Sequence, residues 1–99
     1  MDSTIPVHPG DVLKEEIESR GISQKRFAEL LNIPYGQLNE ILNGKRAIST
    51  DFALMVEAAL GINPDLLINM QNRYDMALAR HKISLTERLK SIREACAML

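Results

Sequence analysis

The 99-residue sequence predicts an all-α fold from three kinds of observation that recur along the chain. Apolar residues are spaced three and four positions apart, as on the buried face of a helix. Serine, asparagine or proline stands where such a segment begins, and these residues favour helix N-termini. Glycine or asparagine stands where it ends, because both tolerate the left-handed conformation of a helix C-cap. All three signals are clearest in residues 23–44.

Length and composition limit the classes of protein to consider. A chain of 99 residues makes one domain with a modest core, and 45% hydrophobic and 25% charged residues are ordinary globular values. One cysteine permits no internal disulfide. The chain has no apolar run of about 18 residues and no signal-peptide pattern. We therefore expect a cytoplasmic protein that does not associate with a membrane.

The net charge of −1 is unevenly distributed. Residues 20–46 carry five basic and two acidic side chains, a net charge of +3, and residues 70–99 also have a net charge of +3. The segments 1–19 and 47–69 have net charges of −4 and −3. Because nucleic-acid binding depends on a local basic surface and not on the total, this distribution favours a DNA-binding segment within residues 20–46.

Helix 1 is predicted over residues 9–20. Pro9 suits the first helical position, and His8 before it is expected to help cap the helix. Gly21 ends this helix. Its buried stripe is expected to contain Val12, Leu13 and Ile17.

Two short helices joined by a tight turn follow. Ser23 caps the first of them, and Asn32 ends it. Pro34 starts the second, and Gly44 caps its end. Ala28 is small enough to let the two helices approach closely. The expected buried residues are Phe27, Leu30 and Leu31 in the first helix and Leu38, Ile41 and Leu42 in the second.

Helices 4 and 5 are predicted from two further N-cap signals. Ser49 caps helix 4, which Gly61 ends. Asn63 and Pro64 open helix 5, which runs to about His81. The expected buried residues are Phe52, Met55, Val56, Ala59 and Leu60 in helix 4 and Leu67, Met70, Tyr74 and Ala77 in helix 5.

The end of the chain predicts a sixth helix, with a single helix continuous with helix 5 as the alternative. Ser84 and Glu87 have the spacing of a capping box. An apolar seam with two positions per heptad follows. Because so short a helix is marginal alone in water, this seam must be buried against another surface. That surface belongs to the chain's own domain, to a second subunit or to another protein. We expect a domain over residues 1–83 and a dimerisation element over residues 84–99, with its interface at Leu85, Leu89, Ile92 and Cys96.

Four segments carry a resemblance to a known family: HPG at 8–10, SQ at 23–24, NIPYGQLNEILNGKRAIS at 32–49 and INPDLLINMQNRYD at 62–75. They resemble the HigA-type antitoxins of the Xre helix-turn-helix group, also called the VapI family. The resemblance implies a lambda-repressor-like DNA-binding domain of five helices, here with a C-terminal helical extension. It also implies a homodimer that represses its own operon and counteracts a RelE-like messenger-RNA endonuclease encoded beside it.

The helix-turn-helix assigns expected roles on double-stranded DNA, at a palindromic operator if the protein is a dimer. The second helix of such a motif enters the major groove and the first lies across the backbone. The expected base contacts are Tyr35, Gln37 and Asn39, because Gln and Asn pair with adenine and a tyrosine ring meets a thymine methyl group. The expected phosphate contacts are Gln24, Lys25, Asn43, Lys45 and Arg46. Gly36 either permits close approach to DNA or is simply tolerated.

Other interpretations remain open at this point. The polar helix face is solvated surface in the simplest alternative, and the protein is then a protein-binding module. If no toxin gene lies beside this one, the protein is instead an orphan Xre-type transcriptional regulator. Catalysis, cofactors and metals are not expected, because His8 and His81 lie far apart with no cysteine or carboxylate at metal-ligand spacing. Cys96 is expected to be a buried small apolar residue.

Overall fold

The computed structural model describes residues 5–99, and six helices form within them. They are α1 (Pro9–Ser19), α2 (Gln24–Leu31), α3 (Tyr35–Leu42), α4 (Thr50–Leu60), α5 (Pro64–Arg80) and α6 (Ile83–Cys96). The predicted all-α fold, with an extension after the fifth helix, is therefore confirmed. None of the helices in the described part of the chain is long and apolar enough to cross a membrane.

Serine or asparagine side chains cap three of the helices as predicted. The side chains of Ser23, Ser49 and Asn63 accept backbone N–H groups at 3.0, 3.1 and 2.8 Å. Pro34 differs from the prediction, because it is the N-cap of α3 and not its first helical residue. Its extended ψ of 140° turns the chain out of α2, and its carbonyl accepts the N–H of Leu38 at 3.2 Å. Proline has no N–H to satisfy at either position.

Two left-handed residues fix the ends of α2 and α3. Asn32 has a φ of 56° and turns the chain sharply into the second helix. Gly44 has a φ of 74°, and directly after it the N–H of Lys45 donates to the carbonyl of Glu40 at 2.8 Å. This backbone bond closes the last turn of α3. The length and direction of α3 therefore follow from local sequence.

The core lies among α1 to α5. Its buried hydrophobic residues are Leu13, Ile17, Phe27, Ala28, Leu38, Ile41, Leu42, Ile48, Phe52, Ala53, Val56, Leu60 and Leu67. Three predicted core positions are wrong: Leu30 and Met55 are 53% and 37% exposed, and Ala59 is also exposed. They line an open apolar groove between α2 and α4. Ala53 takes the inward position on α4 instead.

The HPG segment joins α1 to α3 and α5. His8 Nδ1 accepts the N–H of Gly10 at 2.9 Å, which confirms its predicted capping role. Its ring meets the Tyr74 ring edge-on, with centroids 4.8 Å apart. A Cβ atom on Gly10 would collide with the carbonyl oxygen of Ile41 at the end of α3. Only glycine therefore allows this close approach of α1 to α3.

The last helix begins earlier than predicted. The chain turns at His81 and Lys82, whose N–H groups bond to carbonyls three residues back, so α5 and α6 are separate helices. Lys82 is the N-cap and its side chain makes no capping bond. The predicted capping box is wrong, because Ser84 already lies within the first helical turn and cannot adopt the extended N-cap conformation.

The seam of α6 is largely uncovered within one chain. No residue of α6 is buried, and its contacts with the rest of the fold are mainly with α5. Leu85 is half-buried, whereas Leu89 and Ile92 are 37% and 48% exposed. Cys96 is exposed, so its predicted burial is wrong for a single chain. The radius of gyration is 17.2 Å, whereas a compact domain of this size has about 13 Å.

Candidate nucleic-acid interface

One face of α3 is buried in the core and the opposite face is open to solvent. The buried residues are Leu38, Ile41 and Leu42. Successive residues of a helix are rotated by about 100°, so Gly36, Glu40 and Asn43 lie opposite this buried face. All three are exposed. They form the surface that α3 would present to a groove of DNA, and we call it the outer face of α3.

Two of the predicted base-contacting residues, Gln37 and Asn39, lie on the two sides of the outer face. Tyr35 is 51% exposed at the start of the helix, and Gln37 and Asn39 are half-buried. Asn39 Nδ2 donates to Gln24 Oε1 at 3.1 Å. The structure thus brings Gln24, at the N-terminus of α2, beside Asn39 of α3, although the two residues are 15 positions apart.

Polar and basic groups collect at the other end of α3. Asn43 Nδ2 donates to the carbonyl of Asn39 at 2.8 Å, and Asn43 Oδ1 accepts from Lys14 Nζ at 3.5 Å. Lys45 is exposed one residue beyond Gly44. Sequence reasoning missed Lys14, because it lies on α1 in an acidic segment and only the packing of α1 on α3 brings it here.

A charged pair crosses the outer face. Arg46 donates from Nε to Glu40 Oε1 at 2.9 Å, and its Nη2 lies 2.8 Å from the same oxygen. The Glu40 and Arg46 side chains are 49% and 53% exposed. Sequence reasoning expected Arg46 on a phosphate and gave Glu40 no role. The rotation between successive helical residues could have identified Glu40, since it places Glu40 opposite the buried residues of α3 and one turn after Gly36.

The histidines and the cysteine are not gathered into a site. Within residues 5–99, no three His, Cys, Asp or Glu side chains cluster in a way that could hold a metal ion. His8 is buried, and desolvation lowers its pKa from the ordinary value of 6.5, although Asp11 and Asp75 act in the opposite direction. A neutral imidazole suits its role, because Nδ1 must accept a hydrogen bond. His81 ends α5, with Nδ1 2.7 Å from the carbonyl of Ala77.

Curated relatives match most of this chain. Virulence-associated protein I of Dichelobacter nodosus is 34% identical over 74 residues, which cover 74% of this chain and 68% of that protein. Antitoxin HigA-1 of Vibrio cholerae is 31% identical over 78 residues, which cover 78% of this chain and 73% of the relative.

Solved structures share the fold. An addiction module antidote protein of the HigA family from Coxiella burnetii has a TM-score of 0.73 and 33% identity, covering 92% of this chain and 95% of that one. The Pseudomonas aeruginosa antitoxin HigA, solved with the higBA promoter, has a TM-score of 0.74 and 27% identity, covering 90% and 92%. The helix-turn-helix family model HTH_3 matches residues 13–67, more than half of the chain. The chain therefore belongs to the helix-turn-helix family and, within it, to the HigA-type antitoxins, a group of DNA-binding proteins and not of enzymes.

Proposed function

We propose that this protein binds an operator in double-stranded DNA through α3 and represses its own operon. The observation that carries the proposal is the outer face of α3, which is polar, exposed and flanked by basic side chains. Lys25 is exposed at the start of α2, and Lys45 is exposed beyond the end of α3. Two solved structures from Pseudomonas aeruginosa, PA4674 with its operator DNA and the antitoxin HigA with the higBA promoter, support this use of the fold.

The proposed contacts divide into base edges and backbone. Tyr35, Gln37 and Asn39 contact base edges in the major groove. The proposed phosphate contacts, which set register without reading sequence, are Gln24, Lys25, Asn43, Lys45 and Arg46. Gln24 suits this role because its Oε1 is already bonded to Asn39, which leaves its amide N–H groups for a phosphate oxygen.

The proposed operator is palindromic because the proposed protein is a homodimer. One recognition helix makes too few base contacts for useful specificity, and two related by a two-fold axis read two half-sites roughly 34–36 Å apart. The dimer interface is the α6 seam, with Leu85, Leu89, Ile92 and Cys96. These residues are exposed or half-buried in the single chain, and the same apolar patch on a second copy covers them by two-fold symmetry.

The antitoxin role extends to a toxin encoded beside this gene. We propose a RelE-like messenger-RNA endonuclease as that toxin, on the resemblance to HigA-type antitoxins. Co-expression tests it: the product of the neighbouring reading frame should arrest growth alone and be neutralised by this protein. A neighbouring product that is harmless, or whose toxicity this protein leaves unchanged, would contradict the proposal and favour an orphan regulator.

The DNA-binding proposal is tested by titrating the protein against the duplex upstream of its own gene and against a scrambled duplex of the same composition. We expect tighter binding to the upstream duplex and a steep loss of affinity with added salt. Equal affinity for the two duplexes would overturn sequence-specific binding and favour a protein-binding module.

A further inference from the structure

The Glu40–Arg46 pair occupies a position that folding does not explain. Both side chains are about half exposed, and exposed ion pairs contribute little to stability. The pair also lies on the outer face of α3, where a lone carboxylate would repel the phosphates of DNA. Glu40 is the only charged residue within α3. The Glu40 carboxylate contributes little to the stability of the fold and would oppose DNA binding as a free charge. Its role must therefore lie in a contact that α3 makes with another molecule.

The geometry of the pair leaves one edge of the guanidinium available. Nε and Nη2 of Arg46 both point to a single Glu40 oxygen. A guanidinium has five N–H groups, so one on Nη2 and two on Nη1 remain. These two nitrogens form the end edge of the planar group, with the fork geometry that pairs with the O6 and N7 atoms of guanine. The Glu40 carboxylate holds this edge in a fixed orientation, and the Arg46 guanidinium neutralises the charge of the carboxylate.

The surface beside the pair is open. Gly36 lies one turn before Glu40, and a Cβ added to Gly36 would have nothing within 4 Å. The side chain of Arg46 therefore has room to meet a base edge at the surface of the helix. A phosphate contact would not require this orientation, because any cation near the backbone supplies it.

We propose that Arg46 reads a guanine in the major groove and that Glu40 is its positioning residue, so that the pair selects one G·C base pair in each half-site. This inference rests on the proposed function, in which α3 enters the groove. It changes the role of Arg46 from a phosphate contact to a specificity determinant, and it gives Glu40 a favourable role on a DNA-facing helix.

The experiment is selection from a library of random double-stranded oligonucleotides by the full-length parent, Arg46→Lys and Glu40→Ala. Affinities are then measured for the selected duplex and for duplexes in which each G·C pair is replaced by A·T. We expect one position at which the replacement costs the parent about 10- to 100-fold in affinity. Both variants should lose this preference while they keep the preferences at other positions. Arg46→Lys should also keep the salt dependence, because the charge is unchanged.

A matched pair on α2 supplies the control. Arg26 and Glu29 form another exposed ion pair at 3.5 Å, with both residues on α2 and neither on α3. Glu29→Ala and Arg26→Lys should select the parental sequence, and all variants should unfold at the parental temperature. The inference is overturned if either Arg46→Lys or Glu40→Ala keeps the G·C preference, or if Glu40→Ala tightens binding to every duplex equally. A parent protein that selects no sequence would instead overturn the proposed function itself.

Discussion

Asn39 on α3 donates its side-chain amide to Oε1 of Gln24 at the N-terminus of α2, across 3.1 Å. The bond joins the two helices of the motif through side chains at the edge of the proposed DNA surface. Because it occupies the acceptor of Gln24, it aims the donor end of that amide away from α3. The two residues should therefore act as one unit when DNA binds.

A double-mutant cycle tests this coupling. Gln24→Ala and Asn39→Ala should each weaken binding to the upstream duplex, and the double mutant should lose less than the sum of the two. Coupling energies for groups in contact are about 0.5–3 kcal/mol. Affinity measured by fluorescence anisotropy gives the cycle directly. Losses that add within experimental error would show that the two side chains act independently.

Substituting alanine at Gly10 and at Gly36 should change the free energy of unfolding in opposite directions. Gly10→Ala should destabilise the protein by about 1–3 kcal/mol, because the new Cβ meets the Ile41 carbonyl and must displace the end of α3. Gly36→Ala should raise the free energy of unfolding by about 0.5–1 kcal/mol, because it fills open space and favours the helix. Urea unfolding measures both. If Gly36→Ala also weakens DNA binding, Gly36 permits close approach to the duplex, and unchanged affinity would show that glycine is merely tolerated there.

The buried His8 should make stability depend on pH. Its pKa is lowered in the folded state, so the unfolded chain binds the proton more tightly. The free energy of unfolding is then highest above the ordinary value of 6.5 and falls as the pH drops through 6.5 toward the lowered folded pKa. His8→Asn keeps a capping oxygen without a titration and should lose this dependence. Urea unfolding between about pH 5 and 8 measures it, and an equal dependence in parent and variant would contradict the assignment.

A substitution at Lys45 should lower the affinity for DNA in general, whereas a substitution at Gln37 should lower the specificity for sequence. Lys45→Ala removes a proposed phosphate contact, so it should weaken all duplexes about equally and lower the salt slope by about one. Gln37→Ala removes a proposed base contact, so it should reduce discrimination between the upstream and scrambled duplexes. Titrations of both duplexes at several salt concentrations measure these effects. The reverse pattern would exchange the two roles.

The sequence predicted the structural features that depend on residues within about four positions of one another. The caps at Ser49 and Asn63 and the left-handed Asn32 are of this kind, and the structure has all three. It failed where the answer depends on packing between distant segments. Leu30 lies on the predicted apolar stripe, but in the folded chain it lines an open groove between α2 and α4. Hydrophobic periodicity predicts which face of a helix is apolar, but it does not predict where the neighbouring helix lies.

The candidate site shows the same division. Tyr35 and Lys45 could be placed from the motif alone. The N–H of Ile48 donates to Oε1 of buried Gln71 at 2.9 Å, which holds the loop after α3 against α5 and joins residues 23 positions apart. The contact of Lys14 with Asn43 joins residues 29 positions apart. No local pattern indicates such contacts.

The last prediction concerns the α6 seam. If the proposed dimer forms through this seam, Leu89→Asp combined with Ile92→Asp should convert it to monomer, because each buried Leu or Ile contributes about 1.5–3 kcal/mol before the costs of association. These side chains are 37% and 48% exposed in the single chain, so the substitutions remove little from its own core. Thr86→Asp with Ser91→Asp adds the same charge to α6 outside the seam and should stay dimeric. Sedimentation velocity measures the state, and circular dichroism checks that α1 to α5 remain helical. A double seam variant that stays dimeric and unfolds at a lower temperature would show instead that the seam packs on its own domain.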